Sequence, residues 1–158
     1  MFVQEKQEAN VPALGLYVHV PFCSTTCDFC AFYQERPSKK GFEEFFLGLR
    51  REIERFPGDR LFSTVFIGGG TPGLLSSAQL EELCRIIRDA GLMDGCEWTV
   101  EVAPSEISSE KLDVLAEGGV TRISLGVQTF SPEMMKSLGR HHKVEKVFSA
   151  YSMIREKA

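Results

Sequence analysis

Along the chain, apolar and polar positions follow two periods in alternation. Four short stretches alternate every second residue, and each gives way to a longer stretch with apolar positions three and four apart. The first two-residue pattern covers 15–21 and includes Tyr17-Val18-His19-Val20-Pro21. A helical pattern at 41–56 follows, with Phe42, Phe45, Phe46, Leu49, Ile53 and Phe56 on one face and Pro57-Gly58 ending it. Those phenylalanines read as core. A second strand at 62–67 runs into Gly68-Gly69-Gly70-Thr71-Pro72-Gly73, and a helix opens near Ser76 with Gln79 in capping-box position and Leu80, Leu83, Cys84 and Ile87 as its buried stripe. The third strand, 97–102, alternates Trp98, Val100 and Val102 against Thr99 and Glu101; the helix after Ser108 uses Leu112 and Leu115 and stops at Gly118-Gly119. A fourth strand at 121–127, a short helix near 132–138 and a longer one at 144–156, with Val144, Val147, Phe148 and Tyr151 inward, complete the pattern. Strands alternating with helices in this way predict an α/β fold, a parallel sheet with crossover helices.

Four such units are too few for an eight-stranded barrel, and the chain stops in Arg155-Glu156-Lys157-Ala158 with no helix cap. The expectation is a partial, TIM-like barrel core over 14–158 that continues beyond this chain, preceded by an irregular tail over 1–13. If the chain is whole, a partner must cover an exposed sheet edge. Composition narrows the partners. With 158 residues, 43% hydrophobic and 25% charged, the chain can bury a sizeable core. A net charge of −4 offers no basic stripe to replace phosphate counterions, which argues against a nucleic-acid partner. Arg50-Arg51 is followed by Glu52 and Glu54 and reads as a solvated helix face. No apolar run approaches the ~20 residues of a membrane span, and residues 1–10 lack the pattern of a secretory signal. A reducing cytoplasm is expected.

The chemistry concentrates at the carboxyl end of each strand. Cys23, Cys27 and Cys30 follow the first strand, the glycine run the second, Glu101 closes the third and Gln128 follows the fourth. In parallel α/β folds those loops converge on one pocket. The C-x3-C-x2-C spacing lets three thiolates surround one metal centre, and three thiolates leave a four-iron cluster with one iron free of protein ligands. A catalytic zinc with three cysteines, a structural zinc, or a disulfide with a spare thiol are the competing readings. Cys84 and Cys96 lie far along the chain in unrelated settings. Gly69 and Gly70 allow close backbone approach to a ligand, but neither a Walker loop nor a dinucleotide fingerprint is present. Glu101 is out of phase with its apolar neighbours, so its carboxylate faces the barrel interior and needs a cationic partner.

The run Tyr17-Val18-His19-Val20-Pro21-Phe22-Cys23, with Cys27-Asp28-Phe29-Cys30 after it, resembles the cluster loop of radical S-adenosylmethionine (SAM) proteins. It is most similar to the branch that contains oxygen-independent coproporphyrinogen III oxidase and the heme chaperone HemW, and the resemblance extends over about 14–150. It implies that Cys23, Cys27 and Cys30 hold a [4Fe-4S] cluster whose open iron takes SAM. It further implies SAM contacts from Gly69, Gly70, Thr71, Glu101, Gln128 and Arg140, with Tyr17 and Phe29 touching the cofactor and Phe29 near adenine. By the same resemblance, a low-potential donor such as flavodoxin or ferredoxin supplies an electron, SAM is cleaved to a 5′-deoxyadenosyl radical, and heme or a porphyrinogen is handled, with a heme-acceptor protein as a further partner. His19, His141 and His142 receive no task.

Three positions depart from the family pattern. Phe32 stands where the oxidases carry a further cysteine, which favours the chaperone-like side; the alternative is a tetrapyrrole decarboxylase or methylase. Ala103 stands where relatives show Asp or Asn, and Gly73 where they show Ser or Thr. Both leave local details of substrate and cofactor binding open.

Overall fold

β-Branched and aromatic residues fill the two-residue patterns, and they pair into one parallel sheet. The computed structural model describes residues 14–56, 61–139 and 144–157. Its strands are β1 (Leu14–Val20), β2 (Phe62–Gly69), β3 (Leu92–Val102) and β4 (Arg122–Leu125), in the order β1-β2-β3-β4. Between and after them run α1 (Lys39–Ile53), α2 (Ser77–Asp89), α3 (Ser109–Gly118), α4 (Pro132–Ser137) and α5 (Val144–Lys157), with a 3-10 turn at Pro72–Leu74. Every neighbouring pair of strands is parallel, so each crossover brings the chain back to the same end of the sheet. The sheet is an open arc with β1 and β4 at its edges.

Register sorts the side chains into two faces. Val18, Val20, Val65, Ile67, Trp98, Val100 and Val102 are buried beneath the helices with Leu80, Leu83, Ile87 and Leu115. Each such side chain contributes roughly 1.5–3 kcal/mol by leaving water. The other face carries Tyr17 paired with Phe66, Phe66 with Thr99 and Thr99 with Arg122; one step further along, His19 is paired with Gly68 and Glu101 with Ser124. Glu101 thus lies on the face away from the helices, as its phase predicts. Serine caps fix where four helices begin: Ser38, Ser76, Ser108 and Ser131 each accept a backbone N–H three residues on. At Ser76 the capping box with Gln79 is complete. Each cap is worth about 1 kcal/mol.

Several elements differ from the periodicity. β3 begins at Leu92 rather than 97, because Leu92 pairs with Phe62 across a register shift before the apolar alternation starts. β4 ends at Leu125 rather than 127. Gly126 still donates to Val102, but Val127 N–H donates to Leu125 O and Thr129 N–H to Val127 O, and these tight turns carry the chain off the sheet. In α5 the buried positions are Val147 and Ala150, while Phe148 and Tyr151 are 59% and 57% exposed. The inward stripe uses the smaller residues, and Phe148 stacks instead on Phe130, with centroids 5.8 Å apart. In α1, Phe46 and Leu49 are buried, Phe42, Phe45 and Ile53 partly so, and Phe56 lies beyond the helix with its edge on Phe62. Pro57-Gly58, the 1–13 tail, Arg140, His141 and His142 lie outside the described residues.

Cys84 is a packing residue, 1% exposed in α2 against Gly118 of α3. A Cβ on Gly118 would stand 2.5 Å from its sulfur, so the two helices close over this thiol. Burial pushes the Cys84 thiol up to about 11, with Arg88 opposing weakly. Folded, metal-free protein at pH 8 should therefore leave Cys84 unalkylated by iodoacetamide while Cys23, Cys27 and Cys30 react, as read by peptide mass spectrometry; labelling at equal rates would contradict the packing.

Candidate functional site

Parallel strands deliver their following loops to one end, and there the loops enclose a cavity of ≈ 510 Å³. That volume suits a small-molecule ligand. Its walls include Cys23, Cys27, Phe29 and Cys30 from the loop after β1, Gly69, Gly70 and Thr71 after β2, Glu101 from β3 and Gln128 after β4. Nine of the eleven residues singled out by the sequence therefore meet at one place. Tyr17 sits apart, on the inner sheet face below. Arg140 lies outside the described residues, although Gly139 lines the cavity and packs by Asp28 of the cysteine loop.

No disulfide joins any of the five cysteines, against the disulfide reading. The three loop thiols converge on the cavity without meeting at a point: among the described residues, no three His, Cys, Asp or Glu side chains stand close enough to hold a metal ion. The donor chemistry nevertheless fits an iron–sulfur or zinc centre, because three partly accessible sulfurs share one loop and one cavity. Such ligands are drawn together by the bonds to the metal itself. The loop's ends are fixed by backbone. Cys23 N–H donates to Glu35 O, Glu35 N–H to Pro21 O, and a turn joins Cys30 N–H to Cys27 O.

His19, which had no task in the sequence, holds this loop from below. Its Nε2 lies 2.9 Å from the Tyr33 carbonyl, and a carbonyl only accepts, so Nε2 carries the proton. Nδ1 is then the acceptor for the Tyr17 hydroxyl at 3.1 Å. The imidazole thus links strand, inner-face phenol and cysteine loop. Its place two residues from Tyr17 on one strand face was the available signal; the Tyr33 partner, fourteen residues away, was not readable.

The glycines answer first to these neighbours. Gly69 has φ +103, and a Cβ there would stand 2.5 Å from the His19 ring. A Cβ on Gly70 would stand 2.7 Å from the Phe22 carbonyl. The amides along the run are already used: Gly69 N–H donates to the Glu101 carboxylate at 3.3 Å, Gly70 N–H to Val20 O and Thr71 N–H to Phe22 O, both at 2.8 Å. These three amides are therefore directed into the fold. With these amides engaged, the loop offers an anion no backbone donor at Gly69, Gly70 or Thr71.

Charge points the same way. Glu101 and Glu106 are the formally charged carboxylates among the described cavity residues, and no Lys or Arg joins them there. Such a lining attracts a cationic ligand. Tyr17 responds to the same carboxylate: burial pushes its phenol above the usual value, and the Glu101 charge adds to the rise. Gln128 has φ +64, an uncommon conformation for a non-glycine residue, and this turns its amide to the cavity wall after β4. Lys111 is a residue that the sequence reading missed. From the first turn of α3 its Nζ donates to Gly73 O at 2.6 Å and Glu106 O at 3.1 Å, tying the loops after β2 and β3 together. The Gly73 departure fits here, since a Cβ would press on Glu106 at 3.1 Å.

A parallel α/β arc with a three-cysteine loop and a carboxylate-bearing cavity at its carboxyl end defines the class of α/β protein to which the chain is compared. The model of the Radical SAM superfamily matches residues 17–158, and the chain belongs to that family. It is 37% identical over 147 residues to the heme chaperone HemW of Bacillus subtilis, covering 89% of this chain and 38% of the relative. It is 38% identical over 152 residues to the oxygen-independent coproporphyrinogen III oxidase of Paracoccus denitrificans, covering 92% and 34%. Among solved structures it superposes on coproporphyrinogen III oxidase (HemN) from Escherichia coli with a TM-score of 0.79 at 33% identity, covering 91% of this chain and 34% of that one. The chain spans little more than a third of the length of these relatives.

Two outcomes check this geometry. Replacing His19 by Leu removes the hold on Tyr33 O, and a net hydrogen bond of ~1 kcal/mol corresponds to about fivefold faster amide exchange across residues 24–34; unchanged exchange there would contradict the anchoring role. Glu101→Gln should lower the Tyr17 phenol pKa while leaving it above the ordinary value, because burial remains. The readout is a pH titration of ring-labelled tyrosine by NMR, and a Tyr17 unmoved by the substitution would separate the two groups.

Proposed function

We propose that Cys23, Cys27 and Cys30 hold a [4Fe-4S] cluster and that the adjoining cavity seats SAM. The observation that carries this reading is the meeting of three cysteines with a cavity whose formal charges, among the described residues, are carboxylates. When bound, the cluster supplies a low-potential electron and SAM a cleavable sulfonium. The chain's own residues bind and orient. The carbonyls of Gly69 and Gly70, with Thr71 beside them, receive the methionine ammonium; Glu101 balances the cation from the sheet; Gln128 reaches ribose hydroxyls; Phe29 packs near adenine. Arg140 pairs with the carboxylate, and Tyr17 supports the inner face through His19. Flavodoxin or ferredoxin is the class of electron donor, and a reducing cytoplasm suits cysteines that serve as ligands.

Within the family, the chaperone-like role is favoured: binding of heme and its delivery to an acceptor protein. Phe32 supports this, because it lines the cavity where the oxidases carry a further cysteine, leaving three thiols at the loop. Oxidative decarboxylation of a porphyrinogen is the second reading, supported by similarity to the Paracoccus oxidase.

Anaerobic reconstitution with iron and sulfide, followed by electron paramagnetic resonance of the reduced protein, should give a cluster signal that SAM alters. Alanine at any of the three cysteines should abolish it. Bound zinc without iron or acid-labile sulfide would replace this reading with a structural module. Stable heme binding without turnover of coproporphyrinogen III supports the chaperone role; formation of protoporphyrinogen rejects it.

A further inference from the structure

Thr71 is tied to the cysteine loop at two points. Its backbone N–H donates to Phe22 O at 2.8 Å, immediately before Cys23, and its hydroxyl oxygen lies 3.6 Å from Cys23 Sγ. The first bond fixes the approach of the two loops. The second lies within reach of a hydrogen bond to sulfur, and a thiolate leaves the hydroxyl as the donor. The hydroxyl is thus turned to one wall of the cavity, toward one cysteine of the three.

We propose that Thr71 is a positioning residue that tunes the metal centre, its hydroxyl donating to the Cys23 thiolate and so raising the reduction potential of the cluster. This rests on the proposed cluster site and adds to it a role for one side chain. The physical ground is charge. A one-electron reduction makes the cluster more negative, and a donor aimed at a ligand sulfur stabilises the reduced form more than the oxidised form. Cys23 is the ligand that backbone bonds hold most closely, through Glu35 O and the β2 loop. A donor fixed beside it acts in constant geometry, whereas Cys27 and Cys30 belong to the freer part of the loop.

The test compares Thr71→Val, which keeps the branched shape and loses the hydroxyl, with Thr71→Ser, which keeps the hydroxyl. The readout is the midpoint potential of the anaerobically reconstituted protein without SAM, titrated with dithionite as the one-electron source. Thr71→Val should move the midpoint negative by up to tenfold in the reduction equilibrium, about 59 mV for one electron, with Thr71→Ser close to wild type. If Thr71→Val loses the cluster, Thr71→Ala serves as the second hydroxyl-free variant and should show the same negative shift. A potential unchanged in either hydroxyl-free variant, with weaker SAM binding as the effect, would overturn the proposal and make Thr71 a SAM contact alone. Loss of the cluster in all three variants would overturn it as well, since the hydroxyl would then not be the determinant. If wild type builds no cluster, the cluster reading itself falls, an outcome distinct from a potential that ignores the hydroxyl.

Discussion

The site depends on two backbone hydrogen bonds. Gly70 N–H to Val20 O and Thr71 N–H to Phe22 O extend the β1–β2 pairing past the end of the sheet, into the segments that carry chemistry. Consecutive amides donate here, where a parallel ladder would use alternate residues, so the two bonds form a junction between loops beyond the last paired residues. Because the donors sit on the glycine run and the acceptors just before Cys23, the pairing fixes the distance between the two loops that form opposite walls of the cavity. Glycine is required at position 70 because the Phe22 carbonyl occupies the space of a side chain.

From this junction the arrangement extends both ways. Toward the sheet, His19 fills the space left by Gly69 and holds the Tyr33 carbonyl, so the far end of the cysteine loop is anchored to the same strand as its start. Toward β3, the Glu101 carboxylate accepts from Gly69, and Lys111 joins the Gly73 and Glu106 carbonyls. Three loops are thereby locked to one another by groups on neighbouring strands and helices. Only the middle of the cysteine loop is left to adjust. That division suits the proposed site, in which an organic ligand would need a fixed seat and a metal would gather its sulfur ligands.

Much of the architecture could be read before any coordinates. The serine caps at 76 and 108 mark helix starts because their mechanism is local. The trio of cysteines and the glycine run were identifiable because spacing alone restricts what they can do. Where the reading failed, the decisive contact was remote. Phe148 and Tyr151 fit a helical stripe as well as Val147 and Ala150 do, and only packing against neighbouring elements chose the smaller pair.

The sequence by itself determined the order of strands and helices, the type of sheet and the residues able to hold a soft metal, because periodicity, capping and ligand spacing act over a few residues. Tertiary structure decided which hydrogen-bonding groups remain for a ligand. The amides of Gly69, Gly70 and Thr71 are bound to Glu101, Val20 and Phe22, while the carboxylate residues Glu101 and Glu106 line the cavity. Those partners lie 32 to 50 residues away along the chain. Proximity of that kind comes from strand register, which no local pattern encodes.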